Sequence, residues 1–320
     1  MKKALVLFTG GLDSVLSACI IKKLGFDIKL IYINNGFLQK DNSIYLNEKA
    51  NEIGAELIII NDIPDYMDTV LKIAKNSEYG KGVNPCARCH AYFINVAHSY
   101  MKTHNFDFLV SGDVLQQRGN SQSAERLEFV DKLHGVSDIL LRPLTANLLK
   151  DTKIVRDGHI SKTDLYSITG KSRKPQLEMI KQFPNITNVQ HGGGCLLTEK
   201  HYSKRWRNFI ELVSYPTESQ LDLLKCGRHF NVDENLIIIT RNQHETELLE
   251  SQTFVGFDKI DTNKPSPIML VQSSSTKTSI TIAILKSYIN DIENLKFEIN
   301  NEIIISDFIT PEVNRTDYLI

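Results

Sequence analysis

The stretch Phe8-Thr9-Gly10-Gly11-Leu12-Asp13-Ser14 gathers two glycines, two hydroxyls and a carboxylate. Glycines let a backbone approach a ligand with no Cβ in the way. Successive N–H groups that turn into a helix receive a phosphate along the helix dipole. Thr9 and Ser14 can add hydroxyl hydrogen bonds to phosphate oxygens, while Asp13 is placed to hold a Mg2+ ion bridging them. The plain alternative is a glycine turn with an aspartate cap. No Gly-x4-Gly-Lys-Ser/Thr loop occurs in the chain. Ser111-Gly112-Asp113 closes a later apolar run and can reach the same sheet edge, with a turn or cap role as the alternative for Asp113.

Cysteine supplies a second chemistry. Cys86 and Cys89 form a Cys-x2-Cys within Asn84-Pro85-Cys86-Ala87-Arg88-Cys89-His90, beside a helix expected to begin near His90. Cys195 follows the glycines at 192–194, which free the backbone to bring its thiolate against something bulky. Three thiolates without a second pair suit a [4Fe-4S] cubane with one open corner. The competing site is a structural zinc held by the same three and by His90 or His191. Cys19, inside an apolar helical period, and Cys226 read as buried, inert thiols. An odd number of cysteines, behind an opening apolar run too short for a secretory leader, predicts a cytoplasmic setting without a disulfide framework.

The elements that must position these groups follow from periodicity. Apolar runs at Ala4–Phe8, Ile28–Ile33, Glu56–Ile60 and Phe108–Ser111 alternate with helical periods at Ser14–Leu24 and Ile44–Ile53, which predicts an α/β, doubly wound parallel sheet. From about Leu141 the pattern loosens into short helices. After about Lys225 the runs Leu236–Ile239, Ile268–Val271 and Ile303–Ile305, with a helix near Lys277–Ile289, predict a smaller α+β domain. Two domains are therefore expected, 1–215 and 225–320. The formal net charge of −1 excludes a whole-chain basic field for a polyanion. It conceals a basic middle: residues 171–210 carry eight Lys and Arg against two Glu, whereas 211–320 carry nine basic and seventeen acidic residues. Lys171, Arg173, Lys174, Lys204, Arg205 and Arg207 are the candidate RNA contacts, with Trp206 either stacking on a base or packing inward.

With these residues in place, the first stretch resembles the Ser-Gly-Gly-x-Asp-Ser signature of the PP-loop ATP pyrophosphatases, Thr9 standing for the first serine. That resemblance implies ATP as substrate, cleavage between the α and β phosphates, an adenylated carbonyl oxygen, and an adenine pocket lined near Ile33. The Asn-Pro-x-x-x-Cys segment with a distant cysteine is similar to the tRNA thiolation branch of the same family. In that branch sulfur is carried either by a cysteine pair or by a three-cysteine cluster, and the presence of Cys86 besides Cys89 and Cys195 favours the cluster. It implies tRNA or another RNA as partner, and a sulfur donor such as sulfide, a cysteine desulfurase or a sulfur carrier. Ser111–Arg118, Gly170–Pro175 and Gly192–Thr198 resemble a subgroup of thiolase-like members, so the likeness covers about 1–210. A small-molecule PP-loop ligase with zinc and a non-enzymatic RNA-binding module are the alternatives. Cys226-Gly227-Arg228-His229-Phe230 and Thr240-Arg241-Asn242 faintly resemble an NFACT-R RNA-binding domain, and the net charge of −8 over residues 211–320 suits docking better than gripping phosphate.

Overall fold

Val, Ile and Leu dominate the first strand runs with little alternation, as strands buried on both faces require. The computed structural model describes residues 1–61, 63–74, 82–119, 121–190, 194–213, 216–273, 279–290, 295–300, 302–304 and 311–320. It divides into two compact units, Met1–Asn76 with Asn84–Cys195, and Ser77–Val83 with Leu196–Ile320.

The first unit runs β1 (Lys3–Leu7), α1 (Leu12–Lys23), β2 (Asp27–Asn34), α2 (Ser43–Ile53), β3 (Glu56–Asn61), α3 (Ile63–Ala74), α4 (Cys86–Thr103), β4 (Phe108–Val110), α5 (Ala124–Leu133), β5 (Leu140–Leu141), α6 (Lys153–Arg156) and α7 (Lys174–Ile180). Its five strands are all parallel in the order β3-β2-β1-β4-β5. On one face Ala4, Val6 and Phe8 pack with Val15, Ala18, Cys19, Leu46 and Ala50. On the other, Leu5, Ile31 and Leu109 pack with Ile94, Ala97, Met101 and Val130. Helices thus cover both faces, which is the expected doubly wound sheet. The strand order reverses between β1 and β4, so a crevice opens at the carboxyl ends of those two strands. The loops that leave there are Phe8–Ser14 and Ser111–Asp113.

The second unit holds α8 (Lys200–Leu212), α9 (Glu218–Leu223), β6 (Arg228–Val232), β7 (Asn235–Ile239), α10 (Gln243–Glu250), β8 (Phe257–Thr262), β9 (Met269–Gln272), α11 (Ser279–Lys286), β10 (Phe297–Ile299) and β11 (Glu302–Ile304). Its six strands follow the order β11-β10-β8-β9-β7-β6, each pair antiparallel. Phe230, Ile237, Ile260 and Val271 pack with Ile282 and Leu285 of α11. This is the smaller α+β domain expected at the C-terminal end. Periodicity missed β6, β8 and β10, whose polar residues interrupt the apolar runs. Lys277 and Ile305, expected at element ends, lie outside the described residues. Among the described residues no helix is long and apolar enough to cross a membrane.

Candidate nucleotide and cysteine site

The phosphate-type loop is held from both sides. Gly10 has φ +72°, and a Cβ there would stand 2.7 Å from the Tyr45 ring and 2.8 Å from Leu46. The Tyr45 hydroxyl donates to the Gly10 carbonyl at 2.7 Å and accepts from the Gln190 N–H at 3.0 Å. Leu12 N–H in turn donates to the Gln190 carbonyl at 2.9 Å, so Gln190 runs beside the loop as a short parallel bridge to Gly11. Ser14 Oγ donates to the Gly11 carbonyl at 2.9 Å and accepts from the Thr9 N–H at 3.3 Å. Thr9 and Ser14 thereby meet across the turn, their hydroxyls 3.4 Å apart. Helix α1 begins at Leu12 with Gly11 as its N-cap and no side-chain cap; with the Leu12 N–H on Gln190, the Asp13 and Ser14 N–H groups are the ones left to a ligand. Ile33 is buried at the carboxyl end of β2, on the same sheet edge.

Asp13 is half-buried. Gln117 Nε2 donates to its Oδ2 at 2.6 Å and Gln176 Nε2 to its Oδ1 at 3.2 Å. Burial raises its carboxyl, an effect opposed by Gln117, Arg173, Gln176 and Arg118. Each oxygen accepts one amide proton and keeps a lone pair, so Asp13 fits a Mg2+ completed by phosphate oxygens.

Gly112 presses against this loop: a Cβ there would lie 2.6 Å from the Ser14 nitrogen and 2.8 Å from the Asp13 carbonyl oxygen. Behind it, the Asp113 carboxylate is buried and accepts from His90 Nε2 at 2.9 Å, Ser111 Oγ at 2.6 Å, Gln122 Nε2 at 3.1 Å and Arg142 Nε at 3.2 Å. Arg142 also forks onto Asp131 with two bonds of 2.7 Å. Burial alone would raise the Asp113 carboxyl. His90, Arg142 and the Ser111 hydroxyl reverse that and hold it well below the usual carboxylate range.

His90 belongs to α4, and so do the paired cysteines. The helix starts at Cys86 and not near His90, because Pro85 opens it and its carbonyl accepts from the Arg88 and Cys89 N–H groups at 2.9 Å. Cys86 and Cys89 therefore share one face of the first turn at i, i+3. Cys89 is buried, with its sulfur against the Tyr66 hydroxyl. Burial pushes its thiol well up, Tyr66 opposes this, and Cys195 and Cys86 push it further. Cys195 reaches the same place through a bridge to Leu38, beyond the end of β2. Tyr66 packs on Phe37, Tyr92 and Phe93, with centroids 5.5–5.8 Å apart, and covers Cys89, while Cys86 and Cys195 stay partly exposed.

The three thiols are thus within electrostatic reach of one another. Among the described residues, no three His, Cys, Asp or Glu side chains are grouped to hold one metal ion. A single zinc draws four ligands tightly together; His90 donates its Nε2 to Asp113, while its Nδ1 is buried with no hydrogen-bond partner and keeps its ability to ligate. His191, Gly192 and Gly193 lie outside the described residues. A cubane takes its cysteines at separate corners, and three thiolates suit either that or, with a fourth ligand, zinc.

Of the basic candidates, Lys171 and Lys174 are exposed on the first unit and Lys204 on α8. Arg205 donates to the Leu224 and Gly227 carbonyls at 3.3 and 3.1 Å, and Arg207 to the Gly82 carbonyl at 3.0 Å. Trp206 is fully buried, which settles its orientation as inward. Cys19 and Cys226 are buried, their thiols raised to about 12 by burial first. Sequence reading did not foresee Gln117 and Gln176 on Asp13, the Tyr45–Gln190 clamp, or the His90–Asp113–Arg142 chain. The only signal for the first was the spacing of Gln116-Gln117-Arg118 and Arg173-Lys174-Pro175-Gln176 within segments already picked out for another reason.

An uncharacterized protein of Methanocaldococcus jannaschii is 31% identical over 114 residues, covering 35% of this chain and 41% of that one. The tRNA-specific 2-thiouridylase MnmA of Janthinobacterium sp. (strain Marseille) is 22% identical over 246 residues, 71% of this chain and 62% of the relative. The chain therefore spans less than two thirds of the length of either. A solved complex of a 4-thiouridine synthetase with RNA and bound ATP aligns at 16% identity over 57% of this chain and 51% of that one, with a TM-score of 0.36. The family described as thiamine biosynthesis protein (ThiI) matches residues 1–176, more than half of the chain, including the phosphate-type loop, Asp113 and the paired cysteines. This chain belongs to the ThiI family.

Proposed function

We propose that the protein is an ATP-dependent RNA sulfurtransferase, with tRNA as the favoured substrate, that adenylates a uridine carbonyl oxygen and replaces it with sulfur. The observation that carries the reading is one unit holding both parts: a clamped Gly-Gly-x-Asp-Ser turn at the switch point of a parallel sheet, and three cysteines gathered around Cys89. Family membership and the thiouridylase relative support it.

In this reading the Gly10–Ser14 backbone and the α1 N-terminus receive the phosphates, Ile33 lines the adenine, and Asp13 holds Mg2+. The uridine oxygen attacks the α phosphorus, the α–β P–O bond breaks, and pyrophosphate leaves. The carbonyl oxygen is now part of an AMP ester, a far better leaving group. A sulfur nucleophile then forms the C–S bond as the C–O bond to AMP breaks. Sulfide is the source, supplied directly, by a carrier protein, or from a desulfurase persulfide once a thiol reductant has given it two electrons. A [4Fe-4S] cluster held by Cys86, Cys89 and Cys195 would supply an open iron for that sulfur. The Tyr66 wall keeps water from Cys89. Asp113 acts by placing Gly112 against the loop and His90 on the cysteine helix.

Lys171, Lys174 and Lys204 are the basic side chains left exposed for RNA phosphates. Residues 1–215 act as the catalytic domain, and 225–320, given its acidity and its likeness to an NFACT-R module, guides or docks the substrate. A cytoplasmic setting suits both the free thiols and the substrate. The test is pyrophosphate release from ATP with and without tRNA, for the wild type and Asp13→Ala. RNA-stimulated release that Asp13→Ala abolishes is expected. Release driven by a small acceptor with no response to RNA would assign the chain to the small-molecule ligases.

A further inference from the structure

The chain brings two remote segments together beside Asp13. Leu115 bridges Thr169, and its carbonyl accepts from the Gly170 N–H at 2.8 Å and from the Thr169 hydroxyl at 3.0 Å. Just beyond one partner come Gln117 and Arg118; just beyond the other come Arg173 and Gln176. The two glutamines are buried, occupy both Asp13 oxygens, and lock to each other through Gln176 Nε2 and Gln117 Oε1 at 2.8 Å.

The two arginines do not close onto that carboxylate. Among the described residues neither Arg173 nor Arg118 makes an ion pair, and Arg173 Nε is buried with no hydrogen-bond partner. Arg173 is the N-cap residue of the helix whose Gln176 holds Asp13, and Arg118 directly follows Gln117, which holds the other oxygen, so both stand beside that carboxylate. Two cations beside one carboxylate, each of whose oxygens already accepts an amide proton, leave the mouth of a phosphate-type loop with a positive excess. A guanidinium fork suits two phosphate oxygens at once, which the alkyl ammonium of a lysine does not.

We infer that Arg173, assisted by Arg118, binds the β and γ phosphates of ATP and stabilises the departing pyrophosphate, so that Arg173 belongs to the nucleotide site and not to the RNA surface. This rests on the ATP-activating reading above and names the residues that grip the far end of its substrate. As the α–β bond breaks, negative charge grows on the β phosphate oxygen, where a preplaced guanidinium acts most strongly. The Gln117–Gln176 pair keeps Asp13 from swinging onto Arg173, which would neutralise the cation and shut the site.

The test is calorimetric titration of the full chain with ATP, AMP and inorganic pyrophosphate in Mg2+, using the wild type, R173Q, R173K and R118Q. R173Q should weaken ATP and pyrophosphate by about ten- to a hundredfold and leave AMP within about twofold. R173K should fall between the two. R118Q, altered at an exposed position with no risk to folding, should lose in the same direction by a smaller factor. Equal losses for ATP and AMP, unchanged pyrophosphate binding, or a loss confined to RNA affinity would overturn the inference. A wild type that binds none of the three ligands and releases no pyrophosphate would remove the ATP reading itself. A wild type that binds all three, matched by every variant, would remove only the role of these arginines.

Discussion

Gly112→Ala isolates the contact between the two loops that leave β1 and β4. The added methyl carbon would stand 2.6 Å from the Ser14 nitrogen, 2.7 Å from the Asp13 carbonyl carbon and 2.8 Å from its oxygen, whereas ordinary contact begins at 3.4 Å. These are backbone atoms at the start of α1, so no side chain can swing aside, and one loop must retreat by roughly 1 Å. Overpacking of this kind costs about 1–3 kcal/mol of stability. The larger effect is functional, because the atoms displaced carry the first-turn N–H groups and Asp13. A misplacement of about 1 Å lowers kcat/KM by on the order of a hundredfold, or about 2.7 kcal/mol of transition-state stabilisation. The assay is ATP-dependent pyrophosphate release beside a thermal melt. Gly119→Ala is the control: no atom lies within 4 Å of the new carbon, and its melt and turnover should match wild type to within about 0.5 kcal/mol. Wild-type turnover in Gly112→Ala would refute the contact as what shapes the loop.

Asp113→Asn removes the charge on which His90, Ser111, Gln122 and Arg142 converge, and should cost about 3–5 kcal/mol, lowering the urea midpoint by roughly 2 M; a shift equivalent to under about 1 kcal/mol would deny the network its structural role. Because the folded carboxyl is held below its unfolded value near ~3.9, its stabilisation is complete above that pH and drains away as pH falls toward the folded value, so the wild-type advantage over Asp113→Asn should shrink below about pH 4 in acid titrations followed by circular dichroism. Replacing Cys86, Cys89 or Cys195 by Ala should abolish the brown absorbance of anaerobically reconstituted protein yet spare ATP binding, while His90→Ala retains iron; stoichiometric zinc in a colourless, active protein would end the cluster proposal. In the metal-free protein, half-buried Cys86 should alkylate before Cys89, which burial both shields and keeps protonated, and mass-spectrometric mapping showing the reverse order would contradict the Tyr66 wall. Neutralising Lys171 and Lys174 together should reduce the salt slope of RNA binding by about two with ATP affinity unchanged, and an unmoved slope would leave them as solvated surface.

Alternation of apolar runs with helical periods was enough to place β1 to β4 and the first two helices between them, but not α3. Burial on both faces demands such runs, and the Gly-Gly-x-Asp-Ser turn is local chemistry written in consecutive residues. The smaller C-terminal domain was legible only in part, since strands such as Arg228–Val232 and Phe257–Thr262 mix polar with apolar residues and draw their pairing from neighbours far along the chain. The start of α4 was missed because Cys-x2-Cys has the look of a loop, whereas Pro85 begins a helix there. Residue type suggested Arg205 and Arg207 as RNA contacts and left Trp206 open between a base and the core. Packing decided that Trp206 is core, and it engages both guanidinia with backbone carbonyls. The same holds for the partners of Asp13 and Asp113. Gln117 and Gln176 lie 104 and 163 residues from the aspartate they hold, and a hydrogen bond over that distance has no signature in spacing. It exists only once sheet order has brought the carboxyl ends of β1 and β4 side by side.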